Sequence, residues 1–181
     1  MADYVAFLRG INVGGHRPVP MQGLKKAFES LQFKNVRTLL ASGNVLFEAP
    51  RADTVAREMK IEVQLMKTFR HEIGVFIRTM EDLQRLSASR PFSGIPVTPQ
   101  TRLYVTFLSE KLGKDLQIPY ESPGGNFKIL RASEREVWSV VTILPNSRSV
   151  DLMQVLEKKF GQRITTRNWQ TILRVLKAHQ E

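Results

Sequence analysis

The spacing of apolar residues changes several times along the chain, and each change marks an element. Residues 4–10, YVAFLRG, are short, apolar and partly β-branched or aromatic, which predicts a strand. From about Met21 the pattern becomes helical: Leu24, Phe28 and Leu31 recur at i, i+4 and i+7, and Pro20 suits the first helical position. VRTLLA and NVLFEA then read as two strands joined through Ser-Gly-Asn, the chemistry of a tight hairpin. A longer amphipathic stretch, Ala52 to Phe69, carries Val55, Met59, Val63, Met66 and Phe69 on one face, and EIGVFIRT follows as a fourth strand.

This order, β-α-β-β-α-β, is the split βαβ or ferredoxin-like pattern. Its connections fix where loops meet. A crossover helix makes strands one and two parallel, and the hairpin makes strand three antiparallel, so that it slots between them. The C-terminal end of strand one, the start of helix one and the hairpin then share one edge of the sheet. The glycine-rich loop RGINVGGHR and the SGN turn are expected to face one another there.

A short helix at Glu81 to Leu86 is followed by SRPFSGIPVTPQ, whose three prolines and one glycine predict a hinge. Beyond it, RLYVTFLS, NFKILRAS and EVWSVVTIL read as strands. Two helices close the chain. One runs from Val150 to Phe160 with Leu152, Leu156 and Phe160 aligned, and one from Arg167 to Ala178 with Trp169, Ile172, Leu173 and Leu176 as its buried stripe. The expected class is α+β: a ferredoxin-like lobe at residues 1–88, packed with a second α+β lobe at residues 89–181.

Charge adds a partner class. Among 181 residues, 27 Lys and Arg face 17 Asp and Glu, a formal net charge of +10, and the excess is shared evenly between the halves. Residues 158–180 hold six cations and no acidic residue. Such a balance points first to polyanions or small anions. The chain has no cysteine, which removes disulfides, thiolate catalysis and thiolate metal ligation. Its start has no basic n-region or long apolar stretch, and no apolar run nears the ~20 residues that span a bilayer, so a soluble cytoplasmic protein with no membrane partner is expected.

The first loop has the makings of an anion cup. Gly10, Gly14 and Gly15 permit positive φ and close approach to backbone amides, and a helix begins just beyond, with unpaired N–H groups at its start. Asn12 and Asn44 can donate and accept, and Arg9, His16 and Arg17 can add charge. The spacing matches neither of the named phosphate-loop signatures. Ser42 beside Gly43 lacks a nucleophile-elbow pattern, His16, His71 and His179 are scattered without metal-ligand spacing, and Glu81 with Asp82 fits the first turn of a helix. In TTRNWQT, Thr165 or Thr166 is expected to cap the last helix, leaving Arg167 and Asn168 in its first turn. For an RNA-recognition sheet, Tyr4, Phe7 and Phe47 make an incomplete aromatic platform, with Tyr4 and Phe7 on opposite faces.

RGINVGG, SGN followed by VLF, LYVTFLS and TTRNWQT, in this order, resemble the bacterial family catalogued as domain of unknown function 1697. The resemblance implies an α+β protein with a ferredoxin-like first half and a related second half, and it supplies no reaction. It carries the motif onto Arg9, Gly10, Asn12, Gly14 and Gly15, onto Ser42, Gly43 and Asn44, and onto Thr165, Thr166, Arg167, Asn168 and Trp169. Gln32 departs from the family's glycine after helix one, and His16 and Arg17 from its more usual small or lysine-like residues.

The expected function is binding of a phosphate- or carboxylate-bearing ligand at the edge made by Arg9, Asn12, Gly14, Gly15, Arg17, Ser42, Gly43 and Asn44, with Thr166, Arg167 and Asn168 contributing. A nucleic-acid-binding module and a small-molecule enzyme are the alternatives, the enzyme reading weakened by the lack of a nucleophile or metal set. The sequence leaves any cofactor, and the oligomeric state, open.

Overall fold

The computed structural model describes residues 1–14, 18–112, 117–145 and 151–181, and the fold is α+β. Gly15, His16 and Arg17 lie outside the described residues. Two compact units divide the chain: Met1–Ala88 together with Leu173–Glu181, and Ser89–Ile172. The last nine residues therefore count with the first unit, whereas the sequence division places both C-terminal helices in the second lobe.

In the first unit, β1 (Ala2–Leu8), α1 (Met21–Glu29), β2 (Lys34–Leu39), β3 (Asn44–Ala49), α2 (Thr54–Phe69), β4 (Val75–Thr79) and α3 (Met80–Ala88) follow in order. The four strands form one sheet in the order β2-β3-β1-β4, with every neighbouring pair antiparallel. The period-2 pattern of β1 explains its position. Tyr4, Ala6 and Leu8 face a core with Val45, Phe47, Val75 and Ile77 from the neighbouring strands and Leu24, Phe28, Ile61 and Leu65 from α1 and α2. Alternate residues Val5, Phe7, Leu46 and Phe76 are buried too, and α3 packs against β1 and β4. A strand buried on both faces reads as a continuous apolar run, and YVAFL is one.

The structure turns α2 differently from the sequence reading. Asp53 caps it through Oδ1, which accepts from the amides of Val55 and Ala56, so the helix starts at Thr54. Its inward residues are Glu58, Ile61 and Leu65, with Arg57 buried on the flank. Of the face expected to pack, Val55, Met59, Val63 and Met66 are exposed at 43%, 59%, 54% and 45%, while Phe69 at its end packs against the core. The helix carries two apolar stripes, and the narrower one wins because Glu58 Oε1 can accept from the Ile77 amide (2.7 Å) and Glu62 Oε1 from the Val75 amide (3.0 Å) beside it. Each glutamate, costly in a purely apolar core, thereby gains a backbone donor, although Glu58 Oε2 is buried without a hydrogen-bond partner.

The second unit is built on β5 (Thr101–Leu108), β6 (Tyr120–Glu121), β7 (Phe127–Ala132), β8 (Glu136–Thr142), α4 (Leu152–Phe160) and β9 (Ile164–Asn168), and α5 (Trp169–Gln180) starts in it. Its sheet runs β6-β7-β8-β5-β9, and Leu108, Phe127, Ile129, Val137 and Ile164 form a core with Leu156 of α4. The sequence reading lacks β6 and β9. In place of a capped helix start, ITTRN is a strand paired antiparallel with β5, Thr106 opposite Thr166. Two threonines and an isoleucine in succession favour extended backbone, and the pairing supplies the ladder. The helix begins two residues later than expected, and its deepest residues are Ile172 and Val175 rather than Leu173, which is 37% exposed.

Candidate functional site

The first loop and the β2–β3 hairpin do meet at one edge of the first unit. The Leu8 amide donates to Gly43 O (2.8 Å), and the Arg9 amide to Gly74 O (2.8 Å). Asn12 then bridges three segments: its Nδ2 donates to Ala41 O (2.8 Å) at the hairpin tip and to Val19 O (3.1 Å), and its Oδ1 accepts from the Val19 amide (2.8 Å). Val19 lies two residues before α1, so one side chain holds strand end, hairpin and helix start together.

That arrangement uses up several groups assigned to a ligand. The Asn12 amide spends both ends on backbone, and Asn44 is fully buried, its Nδ2 donating to Leu39 O (2.9 Å) and Ser42 Oγ (3.2 Å). Gly43 has φ +77°, and a Cβ there would stand 2.5 Å from Ile11 Cδ1 and 2.9 Å from Leu8 Cβ, so its role is close packing. The turn itself spans Leu40–Gly43, longer than the SGN reading, because β2 ends at Leu39. What the edge presents outward is backbone: Gly10 and Gly14, each at φ +65° with open space around them, and the exposed Asn12 and Val13 between.

At α1 the N-cap position is Pro20, with no side chain capping the helix, and the first intrahelical bond runs from the Leu24 amide to Pro20 O (3.0 Å). The amides of Met21, Gln22 and Gly23 thus open the helix without a side-chain acceptor, next to the loop that Asn12 anchors. Proline occupies the cap rather than the first helical residue expected for it. Arg9 is half-buried, its side chain against Gly74.

Thr166, Arg167 and Asn168 belong to the second unit. Thr166 Oγ1 shares a hydrogen bond with Thr106 Oγ1 (2.8 Å), and neither threonine caps α5. Asn168 does, its Oδ1 accepting from the Gln170 amide (2.9 Å). Arg167 is 8% exposed and its Nη1 donates to Thr165 Oγ1 and Thr166 O, both at 3.0 Å. Burial pushes its pKa down to about 10, still well above neutrality. Trp169 packs edge-on against Phe92, with centroids 5.3 Å apart.

The nucleic-acid alternative asks for exposed aromatics, and Tyr4, Phe7 and Phe47 are all buried, Tyr4 stacked on Phe47 at 5.5 Å. Among the described residues no cluster of three metal-ligating side chains forms, and no helix is long and apolar enough to cross a membrane. Sequence reasoning missed a polar groove of about 700 Å³ at the opposite end of the first sheet, where His179 Nε2 lies 3.2 Å from Asp3 Oδ2, with Lys25, Arg37 and Glu48 alongside. Asp3 and His179 are 176 positions apart, so no spacing rule could pair them.

A comparison with curated proteins finds no match. Among solved structures, the chain is similar to the conserved bacterial protein SP0830 from Streptococcus pneumoniae, with a TM-score of 0.68 and 18% identity over 97% of each chain, which establishes a shared fold. The family model described as Protein of unknown function (DUF1697) matches residues 1–138, so that TTRNWQT lies beyond the match while RGINVGG, SGN and LYVTFLS fall within it. By a match over most of its length, this chain belongs to the DUF1697 family.

Proposed function

We propose that the protein binds a small phosphate- or carboxylate-bearing ligand at the first-loop edge, mainly through backbone amides. The observation that carries this reading is the uncapped start of α1 beside a glycine loop held rigid by Asn12. Helix-start N–H groups and the positive end of the helix dipole favour an anion there, and open space over Gly10 and Gly14 admits one. Arg9 supplies charge from the strand end, and Arg17, from the same loop in sequence, a second cation. In this reading Asn12, Ser42, Gly43 and Asn44 build the edge and do not touch the ligand. Thr166, Arg167 and Asn168 belong to the second unit and take no part in this reading.

The test is an amide-resolved NMR titration of the full chain with inorganic phosphate. Saturable shifts at Gly10, Val13, Gly14 and Met21 to Gly23, weakened by Arg9→Gln, are expected. Shifts confined to other regions, or none, overturn the reading.

A further inference from the structure

We propose that the first unit carries a second anion site, at the end of its sheet opposite the glycine loop, which takes a small monocarboxylate with an apolar body. The α1–β2 connection and the β3–α2 connection meet at that end, around a pocket of about 440 Å³. Leu31, Phe33, Pro50 and Ala56 give it apolar walls, and Arg57, Lys60 and Asp53 give it charge.

Arg57 carries the argument. It is 8% exposed, its guanidinium lies over the Tyr4 ring at 4.5 Å and the Phe33 ring at 5.9 Å, and its Nη2 donates to Pro50 O. Its Nη1 is buried and has no hydrogen-bond partner, and among the described residues no carboxylate pairs with the charge. A desolvated guanidinium with an unmet donor is an unfavourable element of a fold, since buried charges are ordinarily paired. Aromatic faces offset part of that cost but accept no hydrogen bond in the guanidinium plane. A carboxylate does, in charge-assisted geometry.

The ligand class follows from the lining. Two cations and one carboxylate leave a net single positive charge, which suits a monoanion better than a dianion. Asp53 is occupied as the cap of α2, accepting from Val55 and Ala56, so it stays at the rim as a repulsive group for excess negative charge. Phe33 and Leu31, both half-buried, offer surface to an apolar or aromatic body. Because Nη1 is closed to water, binding includes a shift of the pocket lining that opens it to the ligand carboxylate. No acidic partner, motif or spacing signals this site in the sequence: Arg57 reads as one more cation on an amphipathic helix.

Amide-resolved NMR of the full chain, titrated with benzoate, tests the proposal. Saturable shifts at Phe33, Ala52, Ala56 and Arg57 are expected. Arg57→Met, which keeps an apolar stem against Tyr4, weakens that affinity about tenfold or more, the loss of one hydrogen bond to a charged group. Should Arg57→Met fail to fold, Lys60→Glu at an exposed position reverses the lining charge and abolishes saturation. Benzoate shifts absent from these amides, or an affinity unchanged in the soluble variants, overturn it. Phosphate shifts at the glycine loop report on the other site and leave this outcome distinct.

Discussion

Asn12 reaches across 29 residues of chain to donate its side-chain amide to the backbone oxygen of Ala41 at 2.8 Å, while the same side chain closes a two-way pair with Val19. One asparagine at φ +55° therefore sets the geometry of the whole edge. Asn tolerates the left-handed region better than most residues, and its two-ended amide is what lets a single position serve three backbone groups.

Asn12→Ala removes all three bonds and puts an alanine in a left-handed conformation. A loss of about 2–3 kcal/mol is expected, read as a lower urea midpoint at unchanged slope. Asn12→Asp keeps the acceptor for Val19 and loses the donors, and falls between. Equal stability of wild type and Asn12→Ala would mean that the bridge does not hold the edge.

The glycines of the edge divide into two kinds. At Gly43 an added Cβ meets Ile11 and Leu8 inside 3 Å, besides the φ of +77°, and Gly43→Ala is expected to cost more than about 2 kcal/mol. At Gly14 the space is open, so Gly14→Ala costs about 1 kcal/mol, the backbone penalty alone. Thermal unfolding of the two variants separates them. Under the proposed function Gly14→Ala also weakens phosphate binding beyond its effect on stability.

The helix α2 provides a contrast between faces. Ile61→Ala and Leu65→Ala, both fully buried, are expected to cost about 2–5 kcal/mol each. Met59→Lys and Val63→Lys, on the exposed stripe, stay within about 0.5 kcal/mol. Reversal of this ranking in chemical denaturation would place the wrong stripe in the core.

These contrasts show what was legible beforehand. Alternation and apolar runs mark the strands of the first unit, and connection rules bring RGINVGG to the hairpin. Periodicity failed on α2 because it counts apolar residues and cannot know that β4 amides offer hydrogen bonds to Glu58 and Glu62. It failed at Ile164–Asn168 because a strand of five residues ending against a helix start looks like a capping box until its partner, β5, is found some 60 residues earlier. The meeting of the first loop with the hairpin was legible, but the use of its side chains was not: whether an amide faces a ligand or a carbonyl is decided by neighbours remote in sequence, as Asn12 and Asn44 illustrate.

At the start of α3 a pair of reciprocal bonds leads to a pH prediction. The Asp82 amide donates to Thr79 Oγ1 (3.0 Å), Thr79 Oγ1 donates to Asp82 Oδ2 (2.6 Å), and Arg85 pairs with Asp82 Oδ1. Partial burial raises the carboxyl pKa, but the bonds from Thr79 and Arg85 outweigh it and hold the group below its ordinary value. A depressed carboxylate pKa stabilises the fold at pH values above the unfolded pKa, about 3.9, and that contribution disappears as pH falls through the lower folded value. Wild type is therefore expected to exceed Asp82→Asn in melting temperature at neutral pH, with the gap unchanged down to about pH 5 and closing below about pH 4. The Arg85 part is solvent-screened and shrinks with added salt, whereas the Thr79 part persists. A gap that is constant through the acidic range would show that the charge of Asp82 contributes nothing and that hydrogen bonding alone, which asparagine retains in part, caps the helix.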